Sequence, residues 1–378
     1  MRYVLACLLI FSPQAIGATP MPFESQAKIA YLVDVSSGMV LVDKNSTKRI
    51  PTASMAKMMT AYVAFEAMKS KRINPAQQFT VKAATWKAWN NRGSSMFLKN
   101  NEKVSVEDLL HGILTLSGND ASVVLAEGIS GSEKAFTDEM NKAALRLKMA
   151  DSNFATANGW PDSGATYSSA RDLSVLALEI IYSHPERFKA YFGQPSFRWN
   201  NIIQPNRNPL LGVIEGADGM KTGHSDEAGY CLVGTAERNG RRLVMVIAGL
   251  PSMEARISEA RALMHWGFDN WKAVPLYEKG QSVATLPTQM GSSAELQAVA
   301  PHKLSFLIAK GSAAKPKLSV RYKGPIKAPV RKGSEIARLI VRYPDGMEKE
   351  FPLLAANDVA AARFFERAWN GLLGLWAV

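Results

Sequence analysis

The chain has 378 residues, a formal net charge of +12 and a hydrophobic fraction of 47%. That length accommodates about two domains, and the composition is that of a soluble globular protein, which excludes disordered, collagen-like and repeat classes. The positive charge suits solubility and attraction to anionic lipid or acidic polymer. No aromatic-and-basic recognition motif is present, so no nucleic-acid partner is expected.

In chain order, Met1-Arg2, an apolar core from Tyr3 to Ile10 and the small-residue exit Ala15-Ile16-Gly17-Ala18 read as an export signal over residues 1–18. The apolar run is shorter than the ~20 residues of a span. Cys7 precedes the end of that core, too early for a lipoprotein acceptor. Signal removal would leave Cys231 as the sole cysteine, so no internal disulfide is expected, and its neighbours Tyr230, Leu232 and Val233 suit a buried thiol.

Ala30–Val35 and Met39–Val42 flank Ser36-Ser37-Gly38 as a hairpin. Pro51-Thr52-Ala53-Ser54 leads into a breaker-free stretch, Met55–Met68, which predicts a helix. Glu107–Leu116 and Ala121–Ile129 predict two more, separated by Ser117-Gly118-Asn119-Asp120, and Ser169–Tyr182 predicts another. After a Pro/Asn-rich loop (Gln204–Leu211), Gly229–Glu237 and Arg242–Leu250 join across Asn239-Gly240, a strong hairpin signal. Ser252–Trp271 reads as a helix. Strands at both ends of a helical middle define an α+β domain over residues 22–273, with helices on the faces of one sheet.

Helical pattern stops near Pro275. Runs such as Lys303–Ile308 and Ala337–Arg342, set between Gly, Pro and Lys turns, predict a small, basic, sandwich-like all-β module over residues 275–357. Residues 358–378 place Ala361, Phe365, Trp369, Leu372, Leu373 and Trp376 on one helical face and Arg363, Glu366, Arg367 and Asn370 on the other. Such a helix either packs on the β module or lies in the plane of a membrane surface as an anchor. Its charges argue against a span.

Ser-x-x-Lys occurs twice. Ser25-Gln-Ala-Lys28 has no helical pattern behind it and is read as chance. Ser54-Met-Ala-Lys57 opens a helix, where residues three apart share a side, so Lys57 can reach Ser54. A serine hydroxyl needs a base, and lysine serves only with its pKa depressed by desolvation or nearby cations. Alone, the motif is equally served by an N-cap serine and a solvated lysine. Two further triplets change that. Ser117-Gly118-Asn119 can project a hydroxyl and an amide into a cleft, Ser117 relaying a proton between Lys57 and a leaving amine and Asn119 bonding substrate backbone. Lys221-Thr222-Gly223 offers a cation and a hydroxyl to a substrate carboxylate, with Gly223 permitting close approach.

Together, in this order, these triplets form the motif set of penicillin-binding proteins and class A β-lactamases. With the blocks Tyr167–Leu173 and Asp218–His224, the sequence resembles the D-alanyl-D-alanine carboxypeptidase family, the low-molecular-weight penicillin-binding proteins, over nearly the whole chain. The resemblance implies a β-lactamase/transpeptidase-like domain (an antiparallel sheet with helices on both sides), a small all-β domain and a C-terminal amphipathic helix. It implies acylation of Ser54 by peptidoglycan pentapeptide and by β-lactam antibiotics, with Lys57 as base and backbone N–H groups of Ser54 and His224 as the oxyanion hole. Asn119, Lys221, Thr222, Gly223, His224 and Arg207 bind substrate, although Pro209 and the loop after it depart from the family pattern. The implied location is the periplasmic side of the cytoplasmic membrane.

His224 is expected to act through its backbone, and His111 and His184 are expected to be structural. No cofactor or metal is expected. Three other readings stay open: a D,D-endopeptidase using the same nucleophile, a weak β-lactamase, and a non-catalytic wall-binding scaffold. The second is disfavoured by the lack of glutamate in Asp151–Gly164 and by Gly118 in place of the aspartate of class A enzymes.

Overall fold

The structure is a computed structural model that describes residues 22–312, 315–343 and 346–362. The export signal read at 1–18 and most of the expected terminal helix, 363–378, lie outside the described residues. The chain divides between Phe268 and Asp269 into two compact units.

Five strands build the sheet of the first unit: β1 (Ile29–Asp34), β2 (Met39–Lys44), β3 (Ala217–Ser225), β4 (Gly229–Arg238) and β5 (Arg241–Leu250). All neighbours are antiparallel, in the order β2-β1-β5-β4-β3. The central strand β5 shows why the sheet is covered on both sides. Val244, Val246 and Ala248 join one apolar cluster, and Leu243, Met245 and Ile247 join another. Successive side chains point to opposite faces, so a nearly unbroken apolar run needs two covers. The β4–β5 turn has positive φ at both Asn239 (52°) and Gly240 (73°), the conformation an Asn-Gly hairpin favours.

One cover is α8 (Met253–Asp269), which places Ala260, Leu263, Met264 and Phe268 on that sheet face. The other is a helical layer formed by α1 (Lys57–Lys69), α2 (Ala83–Trp89), α3 (Val106–Leu114), α4 (Asn119–Ser130), α5 (Glu133–Arg146), α6 (Ala170–Ser183) and α7 (Pro185–Tyr191). Serines cap three of these: Ser105, Ser132 and Ser169 each accept from the backbone N–H three residues on. Helix α1 runs through the middle, buried at eleven of its thirteen residues. An element apolar on all sides is a core helix. This is the α+β domain the sequence predicts, with helices on both faces.

In the second unit, a six-stranded sheet runs Lys317–Arg321, Glu335–Arg342, Glu348–Ala355, Glu295–Val299, Ser282–Gln289 and Ile326–Lys327, and a two-stranded ribbon pairs Trp271–Tyr277 with Leu304–Ala309. Leu339, Ile340 and Val341 on one strand and Phe351 and Leu353 on its neighbour are buried.

Two sequence readings need correction. The division lies at 268/269 rather than near Pro275, because Pro275 sits inside a paired strand opposite Ser305. A bulge follows it directly, which relieves the missing N–H. Asp358–Ala362 is not the start of a helix. Val359 exchanges backbone hydrogen bonds of 2.9 Å with Val330, and Ala362 N donates to Met290 O at 2.8 Å, so the β module claims this stretch.

Phe65 of α1 is fully buried against Tyr191 and Phe192. Phe65→Ala is expected to destabilise the first unit by about 3–5 kcal/mol, read as a lowered urea midpoint with an unchanged slope.

Candidate active site

The site forms where the edge strand β3 meets the start of α1 and the N-terminus of α4. Ser54 does not sit in the first turn of an α-helix, as the sequence suggests. It lies in a 3-10 turn, Ala53–Ala56, with Lys57 the first residue of α1. Ala53 has φ 45°, so the chain bends sharply just before the serine. Two glycines let neighbouring backbone close on this turn. A Cβ on Gly159 (φ +70°) would fall 1.8 Å from Ala53 O, and one on Gly223 would fall 3.0 Å from Thr52 O. The second contact sets β3 directly beside the serine.

Lys57 is fully buried. Its Nζ lies 2.9 Å from Ser54 Oγ and donates to Asn119 Oδ1 at 2.8 Å and to the Asn158 carbonyl at 2.6 Å. Burial pushes its pKa well below the ordinary lysine value, helped by the positive charges of Lys221 and Arg207 and opposed by Asp120. A neutral amine has two N–H bonds, which match the two carbonyl-type acceptors. Its lone pair is then left for the Ser54 hydroxyl.

Ser117 lines the same cleft with a left-handed backbone (φ 66°). Among the described residues its hydroxyl has no hydrogen bond to Lys57, whose third contact goes to Asn119. The Asn119 amide also donates to Arg92 O at 3.2 Å, which leaves one N–H free. Lys221 is buried on β3, and its Nζ donates to Thr222 O at 3.1 Å. Burial, with Arg207 and Arg256 nearby, lowers its pKa to about 7. Arg207 also lines the cleft, donating to Ser94 Oγ at 2.5 Å. His224 is exposed and stacks 4.0 Å from Tyr230. All nine predicted site residues therefore converge, seven of them around one cleft of about 690 Å³, with Lys57 and Lys221 buried beside it.

His111 packs between Tyr191 and Phe197, the latter on the strand Ser196–Trp199, and His184 packs between Tyr62 and Phe65. The Ser-x-x-Lys at Ser25 serves structure: Ser25 Oγ donates to Glu259 of α8.

Three contributors escaped the sequence reading. Arg256 of α8 reaches the cleft and donates to Gly223 O at 3.4 Å. Its signal was a charge on the apolar stripe Arg256, Ala260, Leu263, Gly267. Asp120 accepts from Ser95 Oγ, Met96 N and Leu98 N, pinning the loop after α2. Asn158 contributes through its backbone, which carries no residue-type signal.

A buried amine against a serine hydroxyl, with two further cations in the cleft, defines an active-site serine hydrolase of the acyl-transfer type. A family model described as D-alanyl-D-alanine carboxypeptidase matches residues 15–252, and one for the C-terminal domain of penicillin-binding protein 5 matches residues 271–361. D-alanyl-D-alanine carboxypeptidase DacA of Haemophilus influenzae is 35% identical over 361 residues, covering 94% of this chain and 91% of that protein. The crystal structure of penicillin-binding protein 5 from Haemophilus influenzae superposes with a TM-score of 0.80 at 35% identity, covering 91% of this chain and all of that one. Penicillin-binding protein D2 of Listeria monocytogenes in its cefotaxime-bound form is 31% identical, with a TM-score of 0.59 over 65% of this chain and 98% of that one. The chain belongs to the D-alanyl-D-alanine carboxypeptidase family of serine peptidases.

The two lysines are expected to set opposite pH limbs. Lys57 acts as a base only when neutral, so the rate rises as pH passes its lowered pKa. Lys221 attracts a carboxylate only when charged, and with its pKa depressed that charge is lost as pH rises through about 7. Acylation by a carboxylate-bearing penicillin, followed from about pH 6 to 9, is expected to fall on the alkaline side, with Lys221→Arg holding its rate to higher pH. An alkaline limb unmoved by Lys221→Arg would remove Lys221 from this role.

Proposed function

We propose that this chain removes the terminal D-alanine from peptidoglycan pentapeptide through an acyl-enzyme on Ser54. The observation that carries the reading is the contact of the buried Lys57 amine with the Ser54 hydroxyl. Ser54 Oγ attacks the carbonyl carbon between the two D-alanines, and its proton passes to Lys57 Nζ. The oxyanion takes hydrogen bonds from the backbone N–H groups of Ser54 and His224, a reading supported by the close approach of Gly223 to Thr52 O. The C–N bond breaks, and the leaving amine receives its proton from Lys57 by way of the Ser117 hydroxyl. Lys221, Thr222 and Arg207 hold the terminal carboxylate, and the free Asn119 N–H takes a backbone carbonyl of the acyl portion. Water then cleaves the ester, releasing the shortened stem and restoring Ser54.

A β-lactam follows the same first step. Ser54 opens the ring amide, but the amine stays tethered to the acyl group and does not diffuse away. Intact-mass measurement after penicillin exposure is expected to show one covalent adduct, absent in Ser54→Ala, and the native protein is expected to release free D-alanine from pentapeptide. An adduct on Ser54→Ala would overturn the assignment of the nucleophile.

For location, the N-terminal sequence supports export and the terminal sequence supports a peripheral hold on the membrane surface. Because Val359 and Ala362 pair with the β module, the proposed anchor is assigned to residues 363–378. There Phe365, Trp369, Leu372, Leu373 and Trp376 supply apolar and interfacial groups. Truncation after Ala362 is expected to leave acylation intact and to abolish sedimentation with membranes. Unchanged sedimentation would refute the anchor.

A further inference from the structure

The rim of the cleft carries a cation that this chemistry does not use. Arg92 follows α2, and its guanidinium lies 4.8 Å from the centre of the Trp160 ring and 5.3 Å from that of Trp89. The two indoles meet nearly edge to face at 5.5 Å, so both attract the charge through their π-systems. Trp160 itself lines the cleft. The loop is fastened to the site by Asn119, whose side-chain amide donates to Arg92 O and whose backbone N–H donates to Ser94 O at 2.8 Å. At Gly93 a Cβ would fall 2.7 Å from the Trp160 ring and 2.9 Å from Asn119 Nδ2. Only a residue without a side chain lets the backbone come so near both.

Arg92 is exposed, and no described carboxylate lies within ion-pair distance of it. It also stands apart from the cluster assigned to the terminal carboxylate. Lys221 feels the charges of Arg207 and Arg256, and Arg256 that of Arg207, whereas Arg92 figures in none of their shifts. The leaving D-alanine offers a single carboxylate, which that cluster takes. Any second anionic group belongs to the acyl portion, which must leave the cleft past its rim. A guanidinium already ordered by two rings loses little freedom on binding such a group, and its planar fork suits a carboxylate.

We propose that Arg92, held between Trp89 and Trp160, reads a free side-chain carboxylate on the acyl side of the scissile bond. The site then selects stem peptides that carry this anion over those in which it is an amide. The inference rests on the D,D-carboxypeptidase reading above.

The test compares D-alanine release by the full-length protein from two synthetic pentapeptides. They differ only in the residue before D-alanyl-D-alanine, which is diaminopimelate with its side-chain carboxylate free or amidated. At low ionic strength the free acid is expected to have the higher kcat/KM by about fivefold, a margin that shrinks with added salt. Arg92→Gln is expected to bring the ratio close to unity, and Arg92→Lys to keep part of it. A clasp that merely stiffened the loop would change both peptides alike and leave the ratio untouched. Equal kcat/KM in the native protein, or a ratio that survives Arg92→Gln, overturns the proposal while D-alanine release still stands. Absence of release from either peptide sinks the peptidase reading and this inference with it.

Discussion

The burial of one amine governs this molecule. Lys57 sits where water cannot solvate an ammonium, and the penalty for a buried, unpaired charge is several kcal/mol. Among the described residues no carboxylate contacts it. Its oxygen partners at Asn119 and Asn158 accept from the neutral amine as well as from the ammonium, so they favour the proton only by the difference, and desolvation with the repulsion of Lys221 and Arg207 prevails. The amine is therefore driven toward its neutral form, in which it can serve as a base. Asp120 opposes this from below, but its carboxylate is already occupied by Ser95 and two backbone N–H groups.

The fold maintains that burial. Helix α1 is a core element whose first residue is Lys57, so the lysine inherits the dryness of the helix interior. The 3-10 turn ahead of it raises Ser54 out of that interior into the cleft. Gly159 and Gly223 allow a loop and the edge strand to close on the turn from two sides. A single added methyl at either position meets backbone oxygen, so the site's precision rests on close backbone packing as much as on the named side chains.

Much of this was legible in sequence. The strand-like runs at both ends of a helical middle and the Asn-Gly hairpin announced an α+β domain, and three triplets pointed to the candidate site. Ser54-Met-Ala-Lys57 fixed only a spacing, and Ser25-Gln-Ala-Lys28 has the same spacing with a purely structural outcome. What separates them is the set of long-range contacts around Lys57, which local pattern does not encode. Asn158 acts through a carbonyl that every residue possesses. Arg256 was hidden on the buried face of α8, which it shares with Glu259 and with Ala260, Leu263 and Gly267. Asp358–Ala362 fitted a helical projection, but pairing with Val330 and Met290 outweighed helical propensity, as tertiary context often does.

Cys231, on β4 opposite Gly223, is fully buried, and its pKa is raised to about 11 by loss of solvation. Alkylation, oxidation and disulfide exchange all proceed through the thiolate, whose share at neutral pH is then on the order of one in ten thousand. The native sheet thus keeps its thiol chemically silent. Reaction with a thiol reagent becomes a clock for the opening of β4, the strand that holds β3 against the serine.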